Sequence, residues 1–197
     1  MNEPIESNSL PLSREALIAA IAEGFIPKWL HFWGHTPPAD GSIGKTCFSQ
    51  WWAGQPFTVD GVAYATAEHF MMAEKARLFG DAETLAEILA VEHPNAAKKL
   101  GRKVRDFDDG KWVAARWNIV VRGNHAKFSQ HSDLADFLIN TSERIIVEAS
   151  PYDTIWGVGL AVSDPRVEQP ECWRGMNLLG FALMDVRGKL RCENLPK

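Results

Sequence analysis

The sequence predicts an α+β fold, a mainly helical single domain around a small sheet. Three observations carry that expectation. Apolar residues recur at helical spacing in several separate segments, while "RIIVEA" at 144–149 is continuously apolar at its centre, as a buried strand requires. Ahead of most of the helices lies an aromatic stretch punctuated by Pro37-Pro38, Asp40-Gly41 and Asp60-Gly61, which suits short strands joined by turns. The 197 residues, 46% of them apolar and 23% charged, fall in the ordinary globular range and give room for one sizeable core. Disordered, collagen-like and coiled-coil classes are excluded by the same composition.

Residues 1 to 12 are polar with two prolines and read as a loosely attached tail. Ser13 is placed to N-cap a helix bearing Leu17, Ile18, Ile21 and Phe25, stopped by Gly24 and Pro27. Together these form an accessory segment, 1–30, ahead of a main domain at 31–190 and a C-terminal tail at 191–197. Asp60-Gly61 is the expected hairpin turn between "PFTV" and "VAYA". Thr66 then caps a helix running to Phe79, a second covers Ala82–Ala90, and Pro94 opens a third that ends near Gly101. Longer and shorter helices follow over Trp112–Phe128 and Asp133–Ile139. The strand of "RIIVEA" stops at Ser150-Pro151, "PYDTIWGVGL" is a loop or short strand, and "VSDPRVEQPECWRG" is a loop. Asn177 is the expected N-cap of a last helix with Leu178, Leu179, Ala182, Leu183 and Val186 on one stripe. No internal repeat or low-complexity tract interrupts the series.

The formal net charge of −4 argues against a surface that coats nucleic acid or anionic membrane, so an anionic ligand must be met locally. Cys47, Cys172 and Cys192 form no CxxC pair, which points to reduced thiols rather than a disulfide framework or a zinc site. Neither a leader pattern nor a long apolar run is visible, and the expected location is the cytoplasm. GxSxG, P-loop and GxGxxG patterns are absent, removing the usual esterase, NTPase and Rossmann readings.

Three segments hold ionisable and aromatic groups in suggestive places. In "ATAEHFMMAEKA", Glu68, Met71, Met72 and Lys75 share one helix side. A carboxylate in the first turn is also favoured by the helix dipole, so a purely structural Glu68 is a serious alternative. Seven residues rise about 10 Å, enough for Glu68 and Lys75 to flank a ribose-sized group. His69 lies elsewhere on the helix and no HExxH occurs, so a metal is set aside. In "VEASPYDTIWGVG", Asp153 offers a second carboxylate, with Glu148 as substitute. Trp156 offers a stacking face, and Gly157 and Gly159 allow close backbone approach. Trp156 as a core lid and Gly157 as a turn residue are the plain alternatives. In "AAKKLGRKVR", Lys98, Lys99, Arg102, Lys103 and Arg105 suit a solvated helix end, although Arg102 is a candidate for bidentate phosphate contact. Lys127 and Arg187 are further cationic candidates. Carboxylates, tryptophans and a few cations suit a sugar bearing a flat heterocycle.

The ordered motifs "FW" at 32–33, "FSQWW" at 48–52, "EHFMMAEKA" at 68–76, "AKKLGR" at 97–102, "AKFSQ" at 126–130, "VEASPYDTIWGVGL" at 147–160 and "GMNLLGFALMDVR" at 175–187 resemble the YbiA-like NADAR superfamily. That resemblance implies N-glycosidase activity, hydrolysis of the bond between ribose and a nitrogen of a heterocycle or amine. It implies substrates among phosphoribosylated pyrimidine intermediates of riboflavin synthesis or ADP-ribosylated guanine, free or in nucleic acid. It places Glu68, Lys75, Asp153, Trp156, Gly157 and Asn177 in or beside the pocket, with Phe48 and Ser49 of "FSQWW" among the substrate contacts. The chain departs from the family pattern at Gln50, where Asn usually follows "FS", at Ser142, where Gly usually follows Thr141, and at Val121, where Met is common.

Cleaving C1–N of ribose builds positive charge on the sugar, which a carboxylate stabilises while activating water. Glu68 is the expected carboxylate, and Asp153 or Lys75 the acid for the leaving nitrogen. In a second scheme Lys75 attacks C1 of the opened sugar as a Schiff-base lysine. Trp156 would stack on the heterocycle and Arg102 or Lys127 would hold phosphate. Neither scheme requires a metal or organic cofactor. A non-catalytic ADP-ribose or nucleotide-binding module would use the same tryptophan and cations without needing the carboxylates. A purely structural interaction protein would have to account for ionisable groups on apolar helix faces.

Overall fold

A computed structural model describes residues 10–193, so most of the expected tails at 1–12 and 191–197 lies outside the described residues, and residues 191–193 of the second belong to the last helix. The described residues form two compact units, one holding residues 10–31 with Glu143–Met184, the other Phe32–Ser142 with residues 185–193.

In the first unit, helix α1 (Arg14–Ala22) starts as expected, with the Ser13 hydroxyl accepting from the Ala16 amide at 3.1 Å. Strand β1 (Trp29–Phe32) pairs with β4 (Ile145–Glu148), whose Ile145, Ile146 and Val147 are buried, as a continuous apolar run demands. The expected loop after residue 161 contains two 3-10 turns, Pro165–Glu168 and Pro170–Cys172. Each turn opens on a proline, whose fixed φ and missing N–H suit the first helical position. Arg14 fastens α1 to them, its Nε donating to the Pro170 carbonyl at 2.8 Å and its Nη2 to that of Glu171 at 3.0 Å.

Helix α7 (Leu178–Glu193) begins where expected, but Asn177 does not cap it with its side chain. Its φ is +55°, and its amide is turned to β4, donating to the Ile146 carbonyl at 2.9 Å and accepting from the Glu148 amide at 3.0 Å. The approach of α7 to β4 is closest at Gly180, where a Cβ would lie 2.1 Å from the Ile146 oxygen.

In the second unit, β2 (Phe57–Val59) and β3 (Val62–Tyr64) pair antiparallel, Phe57 opposite Tyr64, about the expected Asp60-Gly61 turn. Both turn residues have positive φ, 51° and 78°, the conformation that a two-residue hairpin of matching twist requires. The Gln130 side chain brackets Thr58 of β2, accepting from its amide at 2.8 Å and donating to its carbonyl at 2.7 Å. Among the described residues the small sheet content is thus two separate two-stranded sheets rather than one.

Helices α2 (Ala67–Leu78), α3 (Ala82–Ala90), α4 (Pro94–Gly101), α5 (Asp109–Ser129) and α6 (Ser132–Ile139) complete this unit. Helix α5 starts three residues earlier than expected because Asp108 caps it, accepting from the Lys111 amide at 2.7 Å. Glycines let two helices lie close against α2. A Cβ on Gly101 would fall 2.0 Å from the Met72 sulfur, and one on Gly123 2.4 Å from the Phe70 ring. Met71 and Met72 are accordingly core residues, buried with Phe70 and Ala73. Among the described residues no helix is long and apolar enough to cross a membrane.

Candidate functional site

The first turn of α2 is held from two directions. Thr66 accepts from the His69 amide at 3.3 Å, the cap that "ATAEH" predicts. The amide of Glu68, one of the donors a helix start leaves without an internal partner, donates to the Gln50 carbonyl at 2.8 Å. Glu68 is 2% exposed, so its carboxylate belongs to the interior of this unit rather than to a solvated helix end. His69 is equally enclosed, with Nε2 3.1 Å from the Val91 carbonyl and Nδ1 2.8 Å from the Thr66 hydroxyl. A carbonyl can only accept, so Nε2 carries the proton and Nδ1 accepts from Thr66. Burial holds the imidazole pKa below its ordinary value.

Two further amides gather here. Asn124 of α5 is wholly buried and donates to the Gln50 side-chain oxygen at 3.0 Å and to the Val120 carbonyl at 2.9 Å. Gln50 thereby contacts α2 through its backbone and α5 through its side chain.

Lys75 lies two turns along α2 and is half-buried. Its Nζ donates to the Gly101 carbonyl at the end of α4 at 2.8 Å and sits 4.1 Å from the Phe107 ring centroid. Burial pulls its pKa below the usual lysine range and the Arg102 charge adds to this, while Asp109 opposes both. Arg102 itself is exposed. The structure therefore brings Lys75 and Arg102 together, at the opposite end of α2 from Glu68.

Lys127 is placed otherwise than a phosphate ligand would be. It is 1% exposed, and its ammonium donates to the carbonyls of Cys47 and, at 3.1 Å, Ser49, with the Trp52 ring centroid 5.1 Å away. Burial pushes its pKa down to about 8, and pushes that of the neighbouring Cys47 thiol up to about 12. The carbonyls belong to a 3-10 turn, Lys45–Phe48, and to the residue after it. Phe48 is fully buried against the rings of Phe32 and Phe137, each at 5.5 Å, and the Ser49 hydroxyl accepts from the Trp51 amide at 3.1 Å. Arg187 is likewise internal, 1% exposed and donating to the Thr141 hydroxyl at 2.7 Å.

In the first unit, the loop after β4 is organised by its own side chains. Asp153 accepts from the amides of Ile155 at 2.9 Å and Trp156 at 2.7 Å, while Ser150 accepts from those of Tyr152 and Asp153. Trp156 is half-buried. Gly157 is required by the backbone, since a Cβ there would lie 2.8 Å from the Glu148 carbonyl oxygen. Its own carbonyl accepts from the Asn177 amide at 3.1 Å. Asp153, Trp156, Gly157 and Asn177 thus form one loop framework beside β4. Among the described residues no three His, Cys, Asp or Glu side chains assemble as a metal site would need.

Residues 31–191 match the family model described as NADAR domain. The chain belongs to the NADAR family. It is 42% identical over 153 residues to N-glycosidase R617 of Acanthamoeba polyphaga mimivirus, covering 73% of this chain and 87% of that protein. It is 30% identical over 146 residues to N-glycosidase YbiA of Escherichia coli strain K12, covering 74% and 80% respectively. The NMR structure of the E. coli protein YbiA aligns with a TM-score of 0.69 at 28% identity, over 88% of this chain and 91% of that one. Asn124 and the contacts of His69 with Thr66 and Val91 are the parts of the candidate site that sequence reasoning missed, whereas Gln50 stood out there as a departure from the family pattern. Of these, only the capping position of Thr66 carried a local signal.

Proposed function

We propose that this NADAR-family chain is an N-glycosidase that cleaves the C1–N bond joining a ribose to a nitrogenous base or amine. The observation that carries the reading is the burial of Glu68 in the first turn of α2, inside the segment matched by the family. The mimivirus relative at 42% identity and the E. coli relative at 30% both bear the name N-glycosidase, which supports the same reaction class.

As C1–N lengthens, positive charge spreads over C1 and the ring oxygen, and a carboxylate held in a poorly solvated place stabilises that charge strongly. Water forms the new C1–O bond. One of its protons passes to Glu68 and the leaving nitrogen takes up a proton, so the products are ribose with a C1 hydroxyl and the base with N–H. The substrate is a phosphoribosylated heterocycle or an ADP-ribosylated guanine, met in the cytoplasm. Asp153 and Trp156 are the candidates for protonating and stacking on the base, and Arg102, exposed at the end of α4, for holding phosphate.

The lowered pKa of Lys75 favours a second route, in which its amine forms an imine with C1 of the opened ribose as the base leaves, and water then hydrolyses the imine. The test is an assay of wild type beside Glu68→Gln against a ribosylaminopyrimidine 5-phosphate and an ADP-ribosylated guanine nucleotide, with release of the base or amine followed by mass spectrometry. Turnover by wild type alone is expected. Full activity in Glu68→Gln removes the carboxylate from the reaction, and ADP-ribose binding without turnover of either compound makes the chain a binding module.

A further inference from the structure

The Gln50 and Asn124 side chains, 6% and 0% exposed, meet through one hydrogen bond. Each also holds a polar atom, Nε2 of Gln50 and Oδ1 of Asn124, that is buried without a hydrogen-bond partner among the described residues. Exchanging nitrogen and oxygen in either amide does not remove this. The Val120 carbonyl accepts from Asn124 at 2.9 Å and so fixes the Asn124 nitrogen on that side. That same nitrogen donates to Gln50, which fixes the Gln50 oxygen toward it. One donor and one acceptor are therefore left over by the geometry of the pair. Native interiors leave few such groups, and each calls for a reason.

The pair stands next to the proposed chemistry, because the Gln50 carbonyl holds the Glu68 amide at 2.8 Å. Next to C1 on the ribose ring lie the 2-hydroxyl and, one carbon further, the 3-hydroxyl, each of which both donates and accepts. A neutral donor beside a neutral acceptor matches two such hydroxyls. It does not match phosphate, which an amide oxygen would repel.

We propose that Gln50 and Asn124 are specificity-determining residues that read the ribose hydroxyls of the substrate, Gln50 Nε2 donating to the 2-hydroxyl and Asn124 Oδ1 accepting from the 3-hydroxyl. The proposal rests on the N-glycosidase reading only in placing a ribose there, and its test does not depend on turnover. Calorimetry on the full chain compares ADP-ribose with the analogue whose terminal ribose is 2-deoxy. Wild type binds the ribose form about tenfold more tightly, the ordinary discrimination of one hydrogen bond. Gln50→Met, which keeps the length and removes both the donor and the oxygen that Asn124 donates to, brings the ratio close to one by weakening the ribose form. A ratio unchanged in Gln50→Met, or a wild type that binds neither or both equally, overturns the proposal.

Should Gln50→Met not fold, the wild type decides by NMR. The Gln50 side-chain N–H signals shift with ADP-ribose and not with the deoxy analogue. Signals that stay fixed while others move overturn it. If discrimination is present and hydrolysis absent, the hydrolase reading falls and the recognition pair stands.

Discussion

The ammonium of Lys127 donates to the carbonyl of Cys47 in the interior of the second unit, where burial lowers its pKa. A lysine held to a pKa of about 8 and released on unfolding to the ordinary value of 10.5 binds its proton less firmly in the folded state. Between those values the unfolded chain carries more protons, so this group's contribution to stability rises with pH. Its destabilising effect is fully present below pH about 8 and is relieved as the ammonium deprotonates. The neighbouring Cys47 thiol has the opposite sign, its pKa being raised, so the comparison belongs in a Cys47→Ala background. There the unfolding free energy relative to Lys127→Met should rise by on the order of 3 kcal/mol from pH 8 to 10.5, read from urea titrations. A flat difference would mean that Lys127 is solvated.

Lys75→Met separates the two chemical routes. If Glu68 and water carry the reaction, the variant should keep turnover within about tenfold of wild type, losing only an indirect contribution. Borohydride added during turnover should then trap no adduct on the wild-type chain. A mass increase of one sugar on Lys75 would instead establish the imine route.

Gly123→Ala and Gly188→Ala should move stability in opposite directions. Alanine suits a helix interior better than glycine by about 1 kcal/mol. At exposed Gly188 a Cβ meets nothing within 4 Å, so a gain of about 0.5–1 kcal/mol is expected. At Gly123 the same Cβ meets the Phe70 ring at 2.4 Å, and overpacking by roughly 1–3 kcal/mol offsets or reverses the gain. Thermal melts of the pair in one buffer test the sign.

Asn177 joins left-handed backbone to two hydrogen bonds with β4. Asn177→Leu should cost on the order of 3 kcal/mol, having both strain and two stranded backbone groups, while Asn177→Gly should cost less because its backbone is at ease. Equal stability in all three proteins would leave substrate contact as the reason for the asparagine.

What was legible in the sequence was local. Ser13 and Thr66 act within three residues of themselves, Asp60-Gly61 closes its own hairpin, and α3 has the bounds that its periodicity marks. Asp108 hid because Asp-Asp-Gly reads as a turn when no partner is in view. The Asn124–Gln50 and Lys127–Cys47 contacts span 74 and 80 residues, and an asparagine or lysine in a helical stretch reads as solvated until packing encloses it. Asn177 misled for the same reason. Its position before a helix is a local fact, but the turn of its side chain toward β4 is a tertiary one.

The bracket that Gln130 puts on Thr58 has a consequence for the company this chain keeps. A short strand with one hydrogen-bonding side open is a template on which another extended chain can settle. A primary amide presents the same donor and acceptor, at nearly the same spacing, as the peptide group of an incoming strand. Gln130 is thus a counterfeit of one residue of a neighbouring strand, and while it stays in place the outer edge of β2 offers no seat to a misfolded copy.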